Sequence, residues 1–238
     1  MRRIFVENAF PVLCIPGLAC SPRLFAEQLP ALWSIGPVTI AQHTQHDSIP
    51  KMAHSILASA PERFALVGLS MGGYLGFEIL RQAPARVAKL ALLDTSARAD
   101  TAEQTESRRA QIRLAGTMTA RALADTMFPR LVHRSRHGDE RLREVFGLMA
   151  DEVGVAAYVR QQTAIIGRPD SRPTLDQIRC PTLVLVGDGD ELTPPPIAAE
   201  IANGIRGAHL VTIPECGHAS TLERPAAVTA ALLDWLRR

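Results

Sequence analysis

Short apolar runs punctuate the chain, each stopped by Gly, Pro or Asp: Val12–Ile15, Val38–Ala41, Phe64–Val67, Leu90–Leu93, Thr182–Val186 and Leu210–Ile213. They do not alternate apolar with polar positions. Continuous apolarity over so few residues is the pattern of strands covered on both faces, as in parallel sheets. Between the runs lie segments of helical length: Arg23–Leu32, Lys51–Ala60, Met71–Ala83, Pro194–Asn203 and Ala226–Leu236. Pro84 follows the third of these, Gly204 follows the fourth, and Pro194–Pro196 open the fourth with fixed φ. Strand alternating with helix predicts an α/β fold: a mostly parallel sheet with helices on both faces.

One stretch departs from the alternation. From Ser96 to Arg172 no strand-like run occurs, while helical patterns cover Thr101–Ala115, Thr119–Leu131, Asp139–Met149 and Asp151–Ile166. The prediction is a core domain of residues 1–95 and 173–238, interrupted by a helical lid of residues 96–172. The stretch Gly167–Pro173 serves as the exit linker.

A chain of 238 residues, 47 % hydrophobic, can bury a sizeable core. A net charge of +2 gives no field suited to nucleic acid or an anionic membrane, so neither is expected as a partner. No apolar run approaches the ~18 residues of a membrane span. Arg2-Arg3 followed by Val12–Ile15 and Leu18-Ala19-Cys20 imitates an export signal, but Glu7, Asn8 and Pro11 break the apolar region such a signal needs. Cys14, Cys20, Cys180 and Cys216 show no CxxC spacing, which fits reduced thiols. The expected location is the cytoplasm.

The chemistry begins at Leu66-Val67-Gly68-Leu69-Ser70-Met71-Gly72-Gly73. Here a strand gives way to a helix within two residues, which strains the middle residue and crowds its neighbours two positions away. Glycines at 68 and 72 relieve the crowding. The turn lifts the Ser70 hydroxyl clear of the sheet, at the positive end of a helix. A serine needs a base to become nucleophilic, and the base needs an orienting carboxylate. Asp188 and Asp190 follow the run Thr182–Val186, and His218 follows Leu210–Ile213. Asp94, just past Leu90–Leu93, is a further acid.

In this ordered set the chain resembles the α/β-hydrolase superfamily: Gly68-Leu69-Ser70-Met71-Gly72, the segment 187–194, and Gly217-His218. The resemblance implies Ser70 as nucleophile, His218 as general base and Asp190 as orienting acid, standing three residues before Thr193. It also implies an oxyanion hole from the backbone N–H groups of Met71 and Leu18. Pro16-Gly17-Leu18 replaces the family's usual His-Gly pair at that loop. The expected activity is hydrolysis of a small ester, lactone or thioester, with no cofactor and a small acyl compound as the substrate. C–C bond hydrolysis, a lyase step, cofactor-free perhydrolysis and non-catalytic ligand binding are the alternatives.

Other candidates read more plainly. His43, His46 and Asp47 are expected in a solvated loop, not a metal site. Cys216 reads as a small buried neighbour of His218. Arg130, Arg134, Arg136, Arg141 and Arg143, with His133 and His137, read as a solvated helix face. Of the apolar lid residues, Met127, Phe128, Met149 and Tyr158 are expected to line a substrate pocket, where methionines suit a flexible acyl group.

Overall fold

In the computed structural model, residues 10–238 are described; Arg2, Arg3, Glu7 and Asn8, part of the export reading, lie outside them. All six apolar runs are strands: β1 (Val12–Ile15), β2 (Val38–Ile40), β3 (Phe64–Leu69), β4 (Val87–Leu93), β5 (Thr182–Gly187) and β6 (His209–Ile213). They form one parallel sheet in the order β2-β1-β3-β4-β5-β6. The chain first steps from β1 outward to β2, then crosses back to place β3 on β1's other side. Loops leaving β1 and β3 therefore diverge, and the crevice that opens between them is where open α/β sheets bind ligands.

The inner strands divide their side chains by the period of two. Leu13, Ile15, Leu66, Leu90, Leu92, Val184 and Val186 enter one core with α2 (Ile49–Ser59), α3 (Met71–Gln82) and α8 (Pro195–Gly204). Val12, Cys14, Ala65, Val67, Ala91, Leu93, Leu183 and Leu185 enter the other, against the helix Pro225–Arg237. The outer strands differ from expectation. β2 is only half-buried, and His209, Leu210 and Thr212 of β6 are exposed, because an edge strand has a neighbour on one side only.

Helix boundaries shift where the backbone dictates. Residues 23–32 do not form one helix: a turn at Pro22–Phe25 is followed by the short α1 (Leu29–Trp33), whose Pro30 has no N–H to continue a helix from upstream. Between β4 and β5 lie α4 (Ala102–Ala115), α5 (Ala120–Leu131), α6 (Glu140–Val153) and α7 (Val155–Ile166). Thr101, Thr119 and Asp139 cap the first three, accepting from backbone N–H groups of the first turn. The break between α6 and α7 falls at Gly154, φ +76°, several residues later than the apolar pattern indicates.

The two ends of this segment are tied together. Ser171 N donates to Ala97 O at 2.7 Å, and Arg168 Nη1 lies 2.6 Å from Asp100 Oδ1, with both side chains buried. Residues 167–173 are thus an anchored neck and not a free linker. Among the described residues, no helix is long and apolar enough to cross a membrane.

Candidate active site

Ser70 sits between the last residue of β3 and the first of α3, at φ 54°, ψ −114°. A non-glycine residue held there costs about 1–3 kcal/mol and persists only when its surroundings over-determine it. They do so here: Ser70 N donates to Leu93 O at 2.9 Å, and Thr95 Oγ1 donates to Ser70 O at 2.7 Å. Both flanking glycines are obligatory. A Cβ at position 68 would run into the Gly72 carbonyl, and one at position 72 into the Ile15 carbonyl of β1.

His218, on the loop after β6, brings Nε2 to 2.9 Å from Ser70 Oγ. Its Nδ1 lies 2.8 Å from Asp190 Oδ2, on the loop after β5. Asp190 is fixed in turn: Oδ1 accepts from the N–H groups of Leu192 and Thr193 at 2.8 and 3.0 Å, and Oδ2 accepts from Thr193 Oγ1 at 2.8 Å. Burial pushes the Asp190 carboxyl up, yet the His218 charge and the bonds from His218 and Thr193 outweigh it and hold it below the usual carboxylate range. Burial likewise disfavours the imidazolium, but the adjacent Asp190 charge prevails and lifts His218 above the usual histidine value.

The rival acids are engaged elsewhere. Asp188 accepts from Cys216 N at 3.2 Å. Asp94 is fully buried at φ 45°, accepting from Gly187 N at 3.0 Å and from the Ser220 hydroxyl. Burial first, and then the Asp190 charge, push its carboxyl up to about 8. Of these three acids, only Asp190 is hydrogen-bonded to His218.

Two backbone donors face no acceptor. Among the described residues neither Met71 N nor Leu18 N has a hydrogen-bond partner. The Leu18 loop is braced from both sides by residues not expected to matter. His43 is buried, not solvated: its Nε2 lies 3.1 Å from Gly17 O, and burial pulls the imidazole down to about 4, so the neutral ring donates. Gln161 of α7, fully buried, accepts from Ala19 N at 3.0 Å.

The sequence model of the alpha/beta hydrolase family matches residues 12–232. The chain belongs to that family. A Variovorax paradoxus (strain S110) protein provisionally named as the carbamate hydrolase RutD is 28 % identical over 249 residues, 95 % of this chain and 91 % of its own. The structure of a thermophilic esterase from Thermogutta terrifontis superposes with a TM-score of 0.85 at 29 % identity, covering 96 % of this chain and 89 % of the other. The enol-lactonase from Burkholderia xenovorans LB400 gives 0.84 at 25 % identity, covering 98 % and 93 %.

In this α/β hydrolase, Ser70 and His218 open onto a cavity of about 390 Å³ walled by residues of α4–α7 and of the loops after β1 and β5. Met127 and Tyr158 line it, together with Leu123 and Phe146. Phe128 and Met149 do not. Each is fully buried in the core under the sheet's second face, with the Phe128 ring edge-on to Phe146 at 5.7 Å and Arg143 above it. One step along α5 turns the side chain by about 100°, which separates Met127 from Phe128. The basic cluster also divides: Arg130 lines the cavity, Arg136 pairs with Asp139, and Arg134 and Arg141 are exposed. Cys216 is buried and its thiol is raised, first by burial, so it is unreactive. Among the described residues no three His, Cys, Asp or Glu side chains are grouped to hold a metal ion.

Proposed function

We propose that this α/β hydrolase cleaves a small ester, lactone or thioester through an acyl-enzyme on Ser70. The observation that carries the reading is the unbroken hydrogen-bonded line from Asp190 through His218 to Ser70 Oγ, ending beneath the cavity. In the first half-reaction Ser70 Oγ attacks the carbonyl carbon while His218 Nε2 takes its proton. Asp190 stabilises the imidazolium that forms. The carbonyl oxygen becomes an oxyanion between the free N–H groups of Leu18 and Met71, each contributing about 3 kcal/mol to the transition state. His218 then returns the proton to the departing alkoxide or thiolate. In the second half a water gives its proton to His218, attacks the acyl-serine, and releases the acid as Ser70 is reprotonated.

The names carbamate hydrolase, esterase and enol-lactonase all denote cleavage at an acyl carbon, which supports this half of the reading. Residues 96–172 act as a lid, restricting water and shaping the acyl site.

Ser70→Ala tests the assignment. We expect turnover of p-nitrophenyl esters to fall at least about a thousandfold and fluorophosphonate labelling to vanish, with the fold intact. Retained turnover in the variant ends the proposal. Labelling of wild-type Ser70 without turnover of any ester in a chain-length series shifts the assignment to C–C cleavage, lyase or perhydrolase chemistry.

A further inference from the structure

The cavity wall is chemically one-sided. It includes four arginines, Arg98, Arg108, Arg130 and Arg168, and among the described residues no aspartate or glutamate. Two of these explain themselves without a ligand: Arg98 is paired with Glu200 at 2.9 Å, and Arg130 is exposed to solvent. Arg108 and Arg168 are different. They converge on a single carboxylate, Asp100, with Arg108 Nε 2.6 Å from Oδ2 and Arg168 Nη1 2.6 Å from Oδ1. The Asp100 side chain is almost wholly buried. Two guanidinium groups against one carboxylate leave one positive charge uncompensated at the wall of a mostly apolar cavity, with the Arg108 side chain largely removed from solvent. Protein interiors avoid leaving a charge in that state.

The remaining contacts hold Arg108 in place and leave it a free end. Nη1 donates to Gln162 Oε1 at 2.8 Å, and Gln162 Nε2 in turn donates to Tyr158 Oη at 2.8 Å and to Gln111 Oε1 at 2.6 Å. Nη2 has no hydrogen-bond partner among the described residues. Arg168 is committed to Asp100, to the Arg98 and Ile165 carbonyls, and to the Tyr74 ring, with its guanidinium carbon 4.3 Å from the ring centre. Tyr74 lies one helical turn beyond Ser70, and its N–H reaches back to Ser70 O. The spare charge thus lies in the cavity that Ser70 opens onto, and a rigid side-chain network presents it.

Resting on the proposed serine hydrolase activity, we infer that the natural substrate carries a carboxylate on its acyl portion, bound by Arg108. A monoanion matches the single excess charge. A phosphate monoester, nearer two charges, would leave the site overfilled. The apolar wall contributed by Leu123, Met127 and Phe146 suits the methylenes between the carboxylate and the scissile carbonyl.

The test compares mono-p-nitrophenyl esters of dicarboxylic acids with p-nitrophenyl esters of the corresponding neutral fatty acids, matched in length. In wild type we expect the anionic ester to be favoured in kcat/KM by about 10- to 100-fold at the best chain length, the range for a charge-assisted hydrogen bond. Arg108→Gln should collapse that ratio toward unity, mainly through KM, and Arg108→Lys should recover part of it. Calorimetric binding of the free dicarboxylates to Ser70→Ala, lost when Arg108→Gln is added, gives the same answer without turnover. Equal or better use of neutral esters at every length, or an unchanged ratio in Arg108→Gln, overturns the inference while leaving the serine hydrolase intact. Loss of both turnover and Ser70 labelling for every ester overturns the hydrolase reading itself, and the inference with it.

Discussion

Replacing Asp190 by asparagine probes the site most sharply, because the structure dictates which way the new amide must face. Asp190 Oδ1 accepts from two backbone N–H groups, those of Leu192 and Thr193. In Asp190→Asn only the amide oxygen can serve there, so the NH₂ takes the place of Oδ2. It then points at His218 Nδ1, 2.8 Å away. A donor facing Nδ1 forces that nitrogen to carry the lone pair and moves the ring proton to Nε2. Nε2 is the atom 2.9 Å from Ser70 Oγ, and once protonated it cannot take the serine's proton. The Thr193 hydroxyl simply turns to accept from the new NH₂, so the loop has no reason to unfold. The expected loss in kcat is about 10³- to 10⁴-fold, or ~4–5.5 kcal/mol of transition-state stabilisation. Steady-state kinetics on an activated ester, with circular dichroism and a thermal melt as fold controls, measure it. A folded variant within tenfold of wild type would mean that Asp190 does not orient the base.

Asp94→Asn offers the contrast, since Asp94 does not touch His218. Its folded-state value is raised, so the native state keeps a proton that the unfolded chain loses above its ordinary value near 3.8. This group's contribution to wild-type stability therefore falls as pH climbs from about 4 to 8, at up to ~1.4 kcal/mol per pH unit. The asparagine variant lacks that contribution, so the stability of wild type relative to the variant should decline across the window; a constant difference refutes the assignment. Gln161→Leu leaves Ala19 N without its acceptor on the loop that carries the Leu18 N–H. We expect kcat to fall about tenfold with little change in KM, and an unaltered kcat refutes the link between α7 and that loop.

Much of this architecture is visible in the chain itself. The inner strands β1, β3, β4 and β5 announce themselves as apolar runs, because a strand covered on both faces tolerates little else. Ser70 is legible for a related reason: glycines two places on either side leave a steric signature that no ordinary helix start requires. The features that the chain does not display locally join residues distant in sequence. Arg108 and Arg168 are 60 residues apart and meet only through Asp100, so no local window shows them as a pair. His43 resembles a loop histidine until the Gly17 carbonyl is brought to it. Met127 and Phe128 are adjacent and equally apolar; only the rotation of α5 sends one to the cavity and the other to the core. Edge exposure of β6 likewise follows from strand order, which its composition does not encode.

The neck that joins residues 97–100 to 168–171 has an evolutionary corollary. Because the chain leaves the sheet and re-enters it through one hydrogen-bonded waist, everything beyond that waist is topologically a pendant loop. Lengthening or shortening such a loop costs only logarithmically in closure entropy. The block of helices that contributes to the cavity wall can therefore be remodelled or exchanged as a cassette, while the strands that lead into Ser70, Asp190 and His218 keep their register.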